Sequence, residues 1–321
     1  MEERAVVRVD AHQHVWDIES GGYPTLAALP APANRTYEPA ELLPQLVASG
    51  IDATVLVQAE DHHEDTAAML AHAREHDWIA GVVGWLPLLD PQATAARIAD
   101  WAQEPLLVGM RHLIHDEPDP QWLLQPQVIE SLKLLARAGI PYDVVAVLPE
   151  HLALVPRIAR RVPGLKLVID HLAKPPIAAG GWEPWATLLA EAAAVPGVHA
   201  KVSGLNTAAD PQTWDADALR RYVDHALDCF GADRLMFGGD WPIARLAGEY
   251  ADVVRETGAL LADLPPADQA AIWGGTAERF YGLRIRGTAS AAAAGAAEAS
   301  ASAEAAPGGA APAGDATKAE A

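Results

Sequence analysis

The chain has 321 residues and one cysteine, Cys229. A single thiol cannot close an internal disulfide or build the clustered thiolates of a structural zinc site. A reducing cytoplasm is therefore the expected location. Positive charge is also scarce: 23 Lys and Arg face 43 Asp and Glu, for a formal net charge of -20. Nucleic-acid binders and proteins held on anionic membranes need clustered Lys and Arg, so neither partner is expected. No apolar run approaches the ~20 residues of a bilayer span. The opening Met-Glu-Glu-Arg lacks the basic start and long apolar core of a secretory leader. No Gly-x-Gly-x-x-Gly follows the first strand and there is no Walker-type loop, so dinucleotides and nucleoside triphosphates lose their best markers.

What is present is an ordinary globular composition, half of it hydrophobic, with a repeating pattern. Short β-branched runs alternate with longer segments of helical period, as in a parallel sheet with crossover helices. Eight strands can be counted: Val6–Asp10, Asp52–Gln58, Ile79–Trp85, Leu107–Arg111, Tyr142–Val147, Lys166–Asp170, His199–Ser203 and Leu235–Gly239. Helices are expected between them, with a last one near Ala267–Phe280. Runs such as Thr54-Val55-Leu56-Val57 suit strands covered on both faces. The expected fold is an α/β protein, a (β/α)8 TIM barrel over residues 1–286. Residues 287–321 are almost entirely Ala, Gly, Ser and Pro, expected to be a disordered tail, with a frayed Ala-rich helix as the alternative.

Active sites of such barrels form at the C-terminal ends of the strands. There the sequence places His12 and His14, then Gln58 and Glu60, Arg111 and His112, Tyr142 and Asp143, Asp170, His171 and Lys174, Ser203 and Asn206, and finally Asp240 and Trp241. His12 and His14, two apart on an extended segment, can face the same side. For His171 the competing reading is a core histidine bonded to a carbonyl; for Asp240 it is a helix cap. Taken together, three imidazoles and one carboxylate at one mouth can hold a divalent metal or activate water without one. Asp240 would then act as general base while the imidazoles donate to a carbonyl oxygen.

Asp10-Ala11-His12-Gln13-His14-Val15-Trp16, Gly84-Trp85-Leu86-Pro87, Gly109-Met110-Arg111-His112, Asp170-His171-Leu172-Ala173-Lys174-Pro175, Lys201-Val202-Ser203-Gly204 and Phe237-Gly238-Gly239-Asp240-Trp241-Pro242, in this order, resemble the amidohydrolase superfamily. The closer resemblance is to its lactonase branch of sugar-lactone and pyrone-dicarboxylate hydrolases, and it spans positions 5–285. It implies a deformed barrel, a hydrolase that opens a cyclic ester, and Asp240 as the water-activating base. Many superfamily members carry two metals bridged by a carboxylated lysine, but strands four and five supply no lysine at a matching end. In this branch one zinc at His12, His14, His171 and Asp240 is compatible and not required, so no cofactor is the expectation. A lactone carbonyl is already electrophilic, and hydrogen bonds can suffice to polarise it.

A pyrone dicarboxylate calls for several cations at the mouth, whereas the sequence offers mainly Arg111 and Lys174, with His115 as a neutral addition. Neutral polar groups and aromatic rings are more plentiful. A sugar 1,4- or 1,5-lactone such as fuconolactone or rhamnonolactone is the expected small-molecule substrate, contacted by Arg111, His112, Glu60, Asp143, Trp85, Trp241 and Lys174. Around these stand His62, Asn206 and Trp16. The alternatives are a pyrone-dicarboxylate lactonase, a zinc-dependent decarboxylase of the same superfamily, and a barrel that binds without catalysis. A homo-oligomer is left open.

Overall fold

The computed structural model describes residues 7–304. Eight strands, β1 Val9–Gln13, β2 Ala53–Val57, β3 Ile79–Gly84, β4 Leu107–His112, β5 Tyr142–Val144, β6 Leu167–Ile169, β7 Val198–Val202 and β8 Leu235–Phe237, pair in sequence order, and all seven pairings are parallel. Each is followed by a covering helix: α1 Pro39–Ala48, α2 His63–Glu75, α3 Pro91–Asp100, α4 Pro126–Ala138, α5 Pro149–Arg161, α6 Trp185–Ala193, α7 Ala216–Phe230 and α8 Tyr250–Leu261. This is the expected TIM barrel. The helix bounds follow local chemistry. Pro126 opens α4 and Gly139, at φ 72°, ends it in the left-handed region. Asp215 caps α7 by accepting the Ala218 N–H.

β1 begins three residues later than the sequence suggested, at Val9 instead of Val6, and runs on through Asp10, His12 and Gln13, all buried. Polar residues there looked like the end of a strand. They are tolerated because each has a partner inside the barrel. The β1–β2 register also shifts between Asp10 and Gln13, a bulge of the kind that re-aims side chains at barrel mouths.

The barrel closes between β1 and the turn after β8. The His14 amide donates to the Trp241 carbonyl and the Asp240 amide to the His12 carbonyl, each at 2.8 Å. Asp10 locks this seam: it accepts from the amides of Gly239 (2.8 Å) and His12 (3.0 Å), from the Tyr250 hydroxyl (2.7 Å) and from the Gln13 amide group. The lumen below is apolar, filled by Val9, Ala11, Val55, Val57, Val83, Val168 and Met236 and plugged by Phe280 and Tyr281.

Those plugs come from the closing segment, expected as one helix and found as three pieces: Pro266–Ala270, a π-turn at Ala271–Gly275, and Thr276–Tyr281. Gly274 explains the break. A Cβ there would sit 2.1 Å from the Val7 carbonyl oxygen, so the segment reaches the start of β1 only through a glycine. Beyond it, Ala289–Glu304 is helical (α9), matching the helix alternative for the tail. Its Ala289 is buried and its amide donates to the Asp52 carbonyl at 2.7 Å. The rest of the expected tail lies outside the described residues. No helix among the described residues is long and apolar enough to cross a membrane.

Asp10→Ala removes the acceptor for four donors at the closing seam. At about 1–3 kcal/mol for a stranded buried group, a loss of more than about 3 kcal/mol is expected in urea unfolding; wild-type stability in the variant would mean that the seam is held elsewhere.

Candidate active site

Above the apolar lumen lies a charged layer. Lys201, at the middle of β7, places Nζ 2.6 Å from Asp143 on β5 and 3.1 Å from Asp170 at the end of β6. Arg111 on β4 donates to Asp170 Oδ2 at 2.9 Å and to Gln58 Oε1 at 3.1 Å. The Tyr281 hydroxyl rises from the lumen to Asp143 at 2.7 Å. Burial raises the Asp143 carboxyl to about 6, opposed chiefly by Lys201. For Asp170, burial is outweighed by Lys201, His12 and Arg111, which hold it well below the carboxylate range.

This layer orients His12. Arg111 Nη1 lies 3.3 Å from His12 Nε2 and Lys201 Nζ lies 3.1 Å from His12 Nδ1, so a cation that can only donate faces each ring nitrogen. Nδ1 also faces Asp170 Oδ1 at 3.4 Å. The other imidazoles are anchored similarly. His14 Nδ1 donates to the Val57 carbonyl at 2.8 Å, and His171 Nδ1 lies 2.8 Å from Ser203 Oγ. All three Nε2 atoms turn toward Asp240 Oδ1, at 3.8 Å (His12), 3.5 Å (His14) and 4.0 Å (His171). Burial keeps His171 neutral, pushing it down to about 3, and takes His12 well below its ordinary range.

Lone pairs and a carboxylate oxygen facing one another at 3.5–4.0 Å are too far apart for hydrogen bonds. The separation is close to that between two ligands of one tetrahedral zinc, about 3.3 Å for metal–ligand bonds near 2.0–2.1 Å. Ligand atoms of His12, His171 and Asp240 fall within 4.8 Å of one another, and Asp240 Oδ2 is buried with no hydrogen-bond partner among the described residues. The donor set thus fits one divalent ion, with each imidazole fixed by a partner on its far nitrogen.

Two strained turns place these groups. His171, Leu172, Ala173 and Lys174 all have left-handed φ, from 47° to 60°, and Asp240 has φ 54°. Such residues cost roughly 1–2 kcal/mol each. The Lys174 amide bonded to the His171 carbonyl (2.8 Å) and the Trp185 indole bonded to the Leu172 carbonyl (2.7 Å) hold the first turn. It brings His171 and Lys174 to one cavity of about 240 Å³, whose wall includes Asp240, Arg111, His14 and His115. Lys174 Nζ bonds Thr207 Oγ1 at 3.0 Å and the Gly204 carbonyl at 3.4 Å. Gly204 packs so close that a Cβ would lie 2.7 Å from His171 Nδ1 and 2.8 Å from Asp240 Oδ2.

The amidohydrolase family matches residues 9–283. The chain belongs to the amidohydrolase family. It is 40% identical to an L-fucono-1,5-lactonase of Burkholderia ambifaria over 286 residues, covering 85% of this chain and 95% of that protein. It is 35% identical to an L-fucono-1,5-lactonase of Burkholderia multivorans, covering 86% and 96%. A crystal structure of an amidohydrolase from Burkholderia multivorans with bound zinc superposes with a TM-score of 0.81 at 36% identity, covering 87% of this chain and 100% of that one. This amidohydrolase is an ester hydrolase by that kinship.

Of the residues singled out in the sequence, the structure brings His12, His14, His171 and Asp240 together and sets Arg111 and Lys174 beside them. Others lie elsewhere. Trp241 is fully buried against Tyr37, and Asp143 lies in the charged layer. His112 stacks on Trp122 and bonds Glu117 and Trp85, outside the cavity lining. Glu60 accepts from Thr25 and is likewise outside it. Lys201 was passed over, although a lysine between Ala200 and Val202 in a doubly covered strand is itself a signal of internal charge. The apolar walls, Leu26, Leu29, Leu113 and Ile243, come from loops that no periodicity marks.

Lys201→Met strands Asp143 and Asp170 without their shared cation. The expected cost is about 3–5 kcal/mol, as for breaking one side of a buried ion pair, read by urea unfolding. A loss under about 1 kcal/mol would show that Arg111 and Tyr281 suffice.

Proposed function

We propose that this chain hydrolyses the ring ester of a sugar lactone of the fuconolactone type. The observation that carries the reading is the convergence of three Nε2 atoms on Asp240 Oδ1 at the wall of a cavity that also holds Lys174. Kinship with two L-fucono-1,5-lactonases supports the substrate class. At about 240 Å³ the cavity falls below the usual ~300–1,000 Å³ of ligand pockets, in keeping with a single small ring.

Asp240 accepts a proton from water as the water oxygen attacks the lactone carbonyl carbon. The bond from that carbon to the ring oxygen then breaks, and the proton passes to the departing ring oxygen, giving a hydroxyl and a carboxylic acid whose own proton is released to solvent to leave the carboxylate. His14 is not assigned as the carbonyl's donor, because its Nδ1 proton is committed to the Val57 carbonyl. Lys174 takes that role: two of its hydrogens go to Thr207 and Gly204, leaving the third for the oxygen on which negative charge develops. A divalent ion held by His12, His171 and Asp240, with His14 adjacent, would supply Lewis acidity and a more acidic water. Arg111 is neutralised by Asp170, so the cavity offers one unpaired ammonium. That disfavours a dicarboxylate substrate.

The test is a panel of sugar lactones followed by proton release, with aromatic carboxylic acids as decarboxylation controls. Lactone turnover that falls at least about 1,000-fold in Asp240→Asn with unchanged circular dichroism is expected, on the scale of losing a central catalytic group. Decarboxylation without lactone turnover would overturn the reading.

The pH dependence follows from the same site. Burial lowers His171 to about 3. Burial opposes ionisation of Asp240, yet His171, His14, Lys174 and His12 together hold its carboxyl below the usual range. Both folded-state values lie below the working range, so neither group changes protonation there. The acid side of kcat/KM should be flat between about pH 5 and 8; an inflection near the ordinary imidazole value of ~6.5 would place a titrating histidine in the mechanism.

A further inference from the structure

A second set of metal-type donors lies away from the mouth, at the C-terminal end of α2. His72 and Glu75 sit on its last turn and His76 follows it, and one ligand atom from each falls within 4.8 Å of the others. Outside that three-residue group, a carboxylate from a different element stands near: Glu38, just before α1, lies 3.9 Å from His72 Nε2. Glu38 and His72 also line a cavity of about 570 Å³ with His62 and Glu64, and no lysine or arginine is in its lining.

The electrostatics favour a cation. With neutral imidazoles the cluster carries the two carboxylate charges, and neither Glu38 nor Glu75 pairs with a lysine or arginine among the described residues. Positive charge is also favoured at a helix C-terminus. Two imidazoles with two carboxylates suit zinc or nickel better than calcium or magnesium, which take all-oxygen shells.

We propose that Glu38, His72, Glu75 and His76 form a second divalent-metal site, of the zinc or nickel class, that ties the start of α1 to the end of α2. This site is separate from the catalytic mouth and does not depend on the hydrolytic reading. An ion bound only by the folded chain stabilises it, here by linking the helices that flank β2.

Zinc titration of chelator-treated full-length protein, followed by calorimetry, tests it. The wild type should take up one more equivalent of Zn2+ than a His72→Gln/His76→Gln variant, and a His12→Gln/His171→Gln variant should retain that equivalent. Added Zn2+ should raise the melting temperature of the His12→Gln/His171→Gln variant and leave that variant's own His72→Gln/His76→Gln derivative unmoved. Lactone turnover of the His72→Gln/His76→Gln variant should equal wild type. Should that variant fail to fold in metal-free buffer, Glu38→Gln/Glu75→Gln serves in its place. Equal zinc stoichiometry in wild type and variant, or loss of both equivalents in the His12→Gln/His171→Gln variant, would overturn the proposal.

Discussion

Two cations and two anions, Arg111, Lys201, Asp143 and Asp170, share the dry centre of the barrel, and the mouth above is arranged around them. Burying four charges has a desolvation penalty that their mutual attraction offsets only when every partner is in place. The layer spans β4, β5, β6 and β7, pairing each carboxylate with a cation, and Gln58 and Tyr281 add further hydrogen bonds. It therefore fixes the relative height of four strands. It also decides chemistry one level up. Arg111 approaches His12 at Nε2, and Lys201 and Asp170 approach it at Nδ1, so that ring is oriented by the charges beneath it.

The second constraint is backbone strain at the ends of β6 and β8. A regular strand followed by a relaxed turn would send His171 and Lys174 in different directions. Four consecutive left-handed residues turn both to one cavity, and a left-handed Asp240 meets them from across the barrel. The conformations persist because their surroundings over-determine them: the Asp240 amide is held by the His12 carbonyl, and Gly204, without a Cβ, lets the His171 ring and the Asp240 carboxylate pack against its backbone. Rigid anchoring of this kind holds an arrangement whose lone pairs and carboxylate would otherwise move apart.

Most of the fold was legible because parallel strands covered on both faces write themselves as apolar runs, and Pro and Gly mark the helix ends, as at Pro126 and Gly139. The convergence of His12, His14, His171 and Asp240 was legible because strand ends can be located in the sequence. Side-chain direction is not. Trp241, next to Asp240 in sequence, turns into the core; Asp143 points down to Lys201; His112, next to Arg111, faces Trp122 on the other side of β4. The bulge in β1 and the approach of Gly274 to Val7 were equally invisible, since both arise from contacts between segments distant in the chain. Lys201 does carry a signal in the sequence, a lysine inside an otherwise apolar, doubly covered strand.

Charge operates here on two scales. The chain as a whole is strongly acidic, at -20, while the cavity carries the Lys174 ammonium, which makes no salt bridge among the described residues and faces Asp240 across the cavity. On the proposed reaction the substrate is neutral and the product is an anion. Lys174 then favours the charge that develops during attack, within reach of a single contact. The surrounding negative field acts over about a Debye length, roughly 8–10 Å at moderate salt, and favours departure of the same carboxylate once it leaves that contact. A more basic surface would retain the product, and a mouth without Lys174 would leave the developing oxyanion to water. The acidic composition, which at first only excluded partners, thus suits an enzyme that makes anions from neutral rings.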